Sequence, residues 1–132
     1  KPTELLKQSW NTPKFQHRSP NVCTMINRLN RLSHWIAAII IWPKTAEKRA
    51  EVWTKVVHVA ELLREMNNFN TLMGLIAGLN TAAASRLKAT HAALNKKTIT
   101  TCRKLEALMC PQMSYKLYRQ TLRKARLPAI PY

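Results

Sequence analysis

The sequence predicts an all-α fold, an irregular bundle of about six to seven helices. Apolar residues recur at steps of three and four along most of the chain, which is the spacing of one helix face. The chain holds two glycines and seven prolines, and the prolines fall between the periodic segments. No segment alternates between apolar and polar residues as a half-buried strand would. With 132 residues, 46% of them apolar, we expect one globular domain over residues 1–132.

The first elements are predicted from capping residues and apolar spacing. Thr3-Glu4 favours a short helical turn, and residues 11–18 are expected to form a loop. Ser19-Pro20 has the N-cap and first-turn chemistry of a helix start, and Pro43 ends that helix. The apolar run 35–42 is too short to span a bilayer and predicts a buried helix end. The inward face of this helix is expected to hold Val22, Met25, Ile26, Leu29, Leu32, Ile36, Ile39 and Ile40.

The middle of the chain predicts two longer helices. Thr45 is the expected N-cap of the first, with Glu47 near its positive end. Asn67-Asn68 ends this helix, and Asn70 is the expected cap of the next. That next helix is apolar on nearly all sides as far as Leu79, so we expect it inside the domain.

The last third predicts shorter elements. Residues 82–85 form a link of small side chains, followed by a short helix near residues 87–94. A further helix is expected over about residues 97–109, and Ser114 is the expected cap of the last one. Two prolines near the end keep the tail extended.

The charge is strongly one-sided. The chain has 22 Lys and Arg residues against six acids, all Glu, for a net charge of +16. From Thr81 onward there are eleven basic residues and one acid. Such a field attracts acidic protein surfaces, nucleic acid or an anionic membrane, and charge alone leaves these alternatives open. Aromatic residues are not interleaved with the basic runs as in a single-strand stacking surface.

Covalent and metal chemistry lack the side chains they require. Cys23, Cys102 and Cys110 are odd in number and spaced unlike a zinc site, so we expect reduced thiols in the cytosol. The four histidines are scattered, and without Asp no Ser-His-Asp arrangement is available. No glycine-rich phosphate loop is present. We therefore expect no metal, no cofactor and no covalent catalysis.

Several motifs stand in a fixed order along the chain. Residues 67–73 read NNFNTLM, residues 78–80 read GLN, and residues 85–90 read SRLKAT. Around them stand Ser9-Trp10, Ser19-Pro20-Asn21, Met25-Ile26, residues 115–119 (YKLYR) and Ile130-Pro131-Tyr132. Together they resemble the catalytic domain of Ras guanine-nucleotide exchange factors, the RasGEF family. The resemblance implies a helical domain that docks on switch II of a Ras-family small GTPase and promotes GDP release. A cytoplasmic location with recruitment to a membrane is the accompanying expectation.

The resemblance also implies which residues contact the GTPase. The positions that match the hydrophobic pocket for switch II are Ile26, Met73, Tyr115 and Tyr132. Those that match polar or edge contacts are Trp10, Asn11, Asn27 and Asn80. Plain core packing remains the alternative for the apolar members of the pocket.

A second group of motif residues is expected to be architectural. Asn67, Asn68, Asn70 and Arg86 are expected to tie the turns around the central helix by local hydrogen bonds. The chain departs from the family pattern at Asn11, usually Thr or Ser, at His91, usually Trp or Phe, and at Ala129, often Cys.

The largest departure concerns length. In the family the chain continues past Ile130-Pro131-Tyr132 into a helical hairpin that opens the nucleotide site, and that hairpin is missing here. We therefore expect a truncated domain, with weak or no nucleotide release from this chain alone. Two other functions remain open, a non-catalytic scaffold of the same fold and a basic helical module that binds nucleic acid or anionic lipid.

Overall fold

A computed structural model describes residues 1–132 and contains helices without strands. The 3₁₀ segments are Pro2–Asn11 and Pro13–Arg18, and the α-helices are α1 (Pro20–Ile41), α2 (Ala46–Glu65), α3 (Phe69–Leu79), α4 (Ala82–Ser85), α5 (Lys88–Ala92), α6 (Lys96–Leu108) and α7 (Gln112–Lys124). The predicted all-α class is confirmed. None of these helices combines the length and apolar character needed to cross a bilayer.

Side-chain caps fix where several helices begin. The Thr45 hydroxyl accepts a hydrogen bond from a first-turn N–H of α2, as predicted. For α3 the predicted cap, Asn70, is wrong, because the Asn68 side chain accepts from Thr71 N–H at 3.1 Å. The helix begins at Phe69 because the N–H groups of Phe69 and Asn70 are satisfied by the carbonyl of Ile130.

The chain divides into two compact units, Lys1–Arg31 and Leu32–Tyr132. In the first unit, the expected loop at residues 11–18 is instead mostly 3₁₀ helix. Ser19 does not cap α1, since its hydroxyl donates to the carbonyl of Glu4 at 2.7 Å. The Glu4 carboxylate takes that role, accepting from the N–H groups of Asn21 at 2.8 Å and Val22 at 3.2 Å.

The second unit contains the hydrophobic core. As expected, α3 lies inside it and buries residues on several sides. Gly78 allows close packing against α1, because a methyl group there would lie 2.6 Å from the Ile36 side chain and 2.7 Å from the Ser33 carbonyl. The buried core comprises Ile36, Ile40, Trp53, Val56, Val57, Ala60, Phe69, Leu72, Leu75, Ile76, Leu79, Ala84, Leu105, Met109 and Tyr118.

The apolar face of α1 is less buried than the sequence predicts. Within the run 35–42, Ile36 and Ile40 are buried, but Trp35 is 58% exposed and Trp42 is 88% exposed. One face of a helix can contact the core, so residues on the opposite face of an all-apolar run remain in solvent. The prediction of a wholly buried helix end is wrong.

Candidate functional site

The turn between α2 and α3 holds the C-terminal tail in place. Asn67 adopts a left-handed conformation with φ 55°, which Asn tolerates better than most residues. Its carbonyl accepts from Ile130 N–H at 2.9 Å, and its side-chain amide donates to the Arg126 carbonyl at 3.0 Å. Phe69 N–H donates to the Ile130 carbonyl at 2.9 Å. Two motifs about sixty residues apart thus meet, and the tail that ends at Tyr132 is tied to the start of α3.

Tyr118 provides a second attachment for the tail. Its hydroxyl donates to the Tyr132 carbonyl at 3.0 Å and accepts from the Tyr132 N–H at 2.8 Å. Its buried ring packs edge-on against Phe69, with ring centroids 5.3 Å apart. The backbone of Tyr132 is therefore held on both sides by one side chain from α7.

The rings of Tyr115 and Tyr132 lie against each other. Their centroids are 5.9 Å apart in an edge-on arrangement, and Tyr132 remains 46% exposed. Partial burial, followed by the proximity of Tyr115, raises the pKa of the Tyr132 hydroxyl above its usual value. The Tyr132 hydroxyl is therefore a neutral donor at physiological pH, and the paired rings suit a mixed apolar and hydrogen-bonding contact.

A left-handed turn precedes the regular part of α7. Met113, Ser114 and Tyr115 have φ values of 51°, 53° and 59°. For L-residues this conformation costs roughly 1–2 kcal/mol each, so surrounding contacts must maintain it. Ser114 cannot act as the predicted cap, because it lies inside this turn and the residue that precedes α7 is Pro111.

A cavity of about 400 Å³ lies between α3 and α6, and we call it the α3–α6 pocket. Helix α3 supplies Met73, Asn80 follows the last residue of that helix, and Tyr115 of α7 closes another side. Two cavities are larger, one of about 560 Å³ beside α2 and one of about 410 Å³ between α2 and α6, and most of the residues that line them are polar or charged. The complete lining of the α3–α6 pocket is Met73, Ile76, Ala77, Asn80, Glu106, Met109, Cys110, Pro111 and Tyr115.

Comparison with known families decides the identity of the fold. The profile of the RasGEF domain matches residues 1–132, the whole of the chain. The chain belongs to the RasGEF domain family. It is 45% identical to Ras guanine nucleotide exchange factor R of Dictyostelium discoideum over 99% of its length. Identities are 46% to factor J and 42% to factor A of the same organism, each over 100% of the chain. The chain spans 8%, 16% and 22% of the lengths of these three relatives.

The predicted contact residues of this RasGEF domain fall in both units. In the second unit, Met73, Asn80 and Tyr115 line one pocket, and the Tyr132 ring lies against Tyr115. The other four belong to the first unit: Trp10 is half-buried, Asn11 and Asn27 are exposed, and Ile26 is 37% exposed. These assignments remain predictions about binding.

The four predicted architectural residues differ in what their side chains do. Asn67 and Asn68 make the hydrogen bonds described above, whereas the side chains of Asn70 and Arg86 make none. Arg86 is exposed to solvent, and the expected local hydrogen bond of its side chain is absent.

Arg49 was not predicted from the sequence to have a role, yet its side chain holds the turn between α1 and α2. Its Nε donates to the buried Thr90 hydroxyl at 2.9 Å, and its Nη1 donates to the carbonyls of Pro43 and Lys44, each at 3.0 Å. Thr90 belongs to the SRLKAT motif, and a buried hydroxyl group is usually hydrogen-bonded. A search for the residue that bonds this hydroxyl could have found Arg49.

The Cys102 thiol is not an activated nucleophile. Cys23, Cys102 and Cys110 are free and half-buried. Burial and the adjacent Glu106 carboxylate raise the pKa of the Cys102 thiol to about 12, so this thiol stays protonated. No group of three His, Cys, Asp or Glu side chains is arranged to hold a metal ion.

Proposed function

We propose that this RasGEF domain docks on switch II of a Ras-family small GTPase through the α3–α6 pocket and thereby promotes GDP release. One observation carries the proposal. Met73, Asn80 and Tyr115, which the sequence separates by up to 42 positions, line one cavity of about 400 Å³, with Tyr132 against Tyr115. The relatives are Ras guanine nucleotide exchange factors by name, which supports a Ras-family partner.

The chemistry of the pocket suits an apolar anchor with polar surroundings. Met73 and Met109 provide flexible apolar walls, and Tyr115 adds an aromatic face with a hydroxyl. The Asn80 carboxamide is exposed and free to bond a partner's backbone. Anchors that enter such pockets contribute most of the affinity in many protein interfaces.

Exchange of nucleotide needs no covalent step. If the domain binds the nucleotide-free GTPase more tightly than the nucleotide-bound form, linkage requires that it weaken nucleotide affinity by the same factor. The residues therefore act by binding and orienting the mobile loop of the partner. A cytoplasmic location with recruitment to a membrane accompanies this proposal.

A pull-down with nucleotide-free Ras, Rap and Ral proteins tests the docking site. We expect Met73→Glu and Tyr115→Glu each to abolish binding, because both bury a charge against the partner's apolar anchor. Met66→Glu is the matched control, since Met66 is 64% exposed and lies outside the pocket. Circular dichroism verifies that the variants fold, and unchanged binding by folded Met73→Glu would contradict the pocket assignment.

Release of fluorescent GDP from the bound GTPase separates exchange from scaffolding. Faster release in the presence of the wild-type chain supports exchange activity. Because weak or no release is expected from this chain alone, the assay is repeated with a hairpin segment of the family joined after Tyr132. Binding by that longer protein that leaves the release rate unchanged favours a non-catalytic scaffold that uses the same pocket.

A further inference from the structure

Glu106 differs in charge from everything around it in the sequence. It is the one acid among residues 81–132, which hold eleven Lys and Arg residues. Its half-buried side chain lies in the wall of the α3–α6 pocket, on α6, and the buried Met109 follows the last residue of that helix. A carboxylate that is partly removed from water is unfavourable unless hydrogen bonds or an opposite charge compensate it.

The Glu106 carboxylate has no cationic partner in the chain. Elsewhere in the protein, Glu4 pairs with the N-terminal ammonium at 3.2 Å, and the Glu61 carboxylate lies 3.8 Å from His58 Nδ1. Its hydrogen bond comes from the Cys102 thiol at 3.6 Å, and a thiol is a weak donor. An ionised carboxylate has about four acceptor positions, so most of this capacity is unused.

We propose that Glu106 is a specificity residue that pairs with a Lys or Arg side chain of the docked partner, next to the partner's apolar anchor. The inference rests on the proposed docking at the α3–α6 pocket. The anchor contacts the apolar wall formed by Met73, Met109 and Tyr115, while Glu106 accepts charge-assisted hydrogen bonds from the cation. A partner with an acidic residue at that position is repelled, and one with an apolar residue leaves the carboxylate unpaired.

The positive charge of the rest of the chain makes the selection of a partner by Glu106 more stringent. A net charge of +16 attracts partners whose surfaces are acidic over a wide area. To pair with Glu106, the partner must also carry one basic residue within that acidic surface, at the point that meets the pocket. Long-range attraction thus speeds the encounter, whereas the local pair determines which partner and which register are accepted.

The test compares wild type with Glu106→Gln, which keeps the size of the side chain and removes its charge. Binding to immobilised, nucleotide-free Ras, Rap and Ral is measured by biolayer interferometry at low and high NaCl. For the partner bound most tightly by wild type, we expect Glu106→Gln to raise Kd about tenfold at low salt, the range of one charged hydrogen bond. The difference between the two proteins should shrink at high salt, because screening weakens a half-exposed pair.

Two controls separate the possible outcomes. Glu51→Gln changes the net charge equally at an exposed position of α2 outside the pocket, and we expect its Kd to match that of wild type. If Glu106→Gln also matches wild type while Met73→Glu abolishes binding, the ion pair is wrong and docking at the pocket stands. If Met73→Glu binds as wild type does, or wild type binds no member of the panel, the docking fails and the role of Glu106 fails with it.

Discussion

Glu4 connects the start of the chain to the first turn of α1 through its carboxylate. The hydrogen bond from the Asn21 side chain, helped by those from the N–H groups of Val22 and Asn21, lowers the pKa of this carboxyl from 4.5 to about 2. The folded chain therefore keeps the carboxylate ionised at pH values where the unfolded chain binds a proton. The resulting stabilisation is complete above pH 4.5 and is lost as the pH falls towards 2.

We expect Glu4→Gln to lower the stability of the chain at pH 7 and to have little effect near pH 2. The amide cannot accept hydrogen bonds at both of its ends, and it carries no charge for the positive end of α1. Urea unfolding at several pH values, followed by circular dichroism, measures the difference from wild type. A difference that stays constant down to pH 2 would show that the carboxylate charge is irrelevant. Glu51→Gln controls for the loss of one negative charge at an exposed site.

Some residues of the site could be predicted from the sequence, and others could not. Met73, Asn80 and Tyr115 could be assigned because each belongs to a motif, and the fold brings them to one pocket. Glu106 and Tyr118 could not, since the proposed role of Glu106 depends on its place in the pocket beside Met73, and that of Tyr118 on its hydrogen bonds to Tyr132. A tyrosine in the third position after Tyr115 signals a shared helix face, but it does not reveal two hydrogen bonds to the chain terminus.

At the scale of elements, Gly78 determines how closely α3 approaches α1. A methyl group at this position would lie 2.6 Å from Ile36 Cβ and 2.7 Å from the Ser33 carbonyl, and the carbonyl belongs to the backbone of α1. We expect Gly78→Ala to destabilise the fold by about 1–3 kcal/mol, because overpacking forces the helices apart. Thermal unfolding measures this effect. Ala77→Gly, at the neighbouring exposed position, is the control for the backbone, and a stable Gly78→Ala variant would refute the close contact.

The boundaries of the helices could be predicted from the sequence where residues within one turn determine them. Thr45 and Pro43 mark real boundaries, because a cap and a missing N–H act within one turn. Asn68 caps α3 where Asn70 was predicted. The reason is that the carbonyl of Ile130, far along the chain, accepts hydrogen bonds from the N–H groups of Phe69 and Asn70. The left-handed turn at Met113–Tyr115 has no glycine or other local signal, so only tertiary contacts can explain it.

At the scale of the whole molecule, the net charge of +16 predicts binding to polyanions that does not depend on the pocket. We expect the chain to bind heparin and to elute at raised NaCl, because counterion release drives such binding. Met73→Gln, which preserves the charge, should elute with wild type while losing affinity for the GTPase. An earlier elution of this variant would instead place the polyanion at the pocket and favour the basic-module alternative.

The Tyr118 hydroxyl has a consequence for how the pocket can move. Tyr118 follows Tyr115 by three residues, and its hydroxyl hydrogen-bonds both the N–H and the carbonyl of Tyr132. We therefore expect a displacement of α7 to move Tyr115 and Tyr132 in the same direction. We expect the rings of Tyr115 and Tyr132 to move together, so that a partner that displaces one of them also displaces the other.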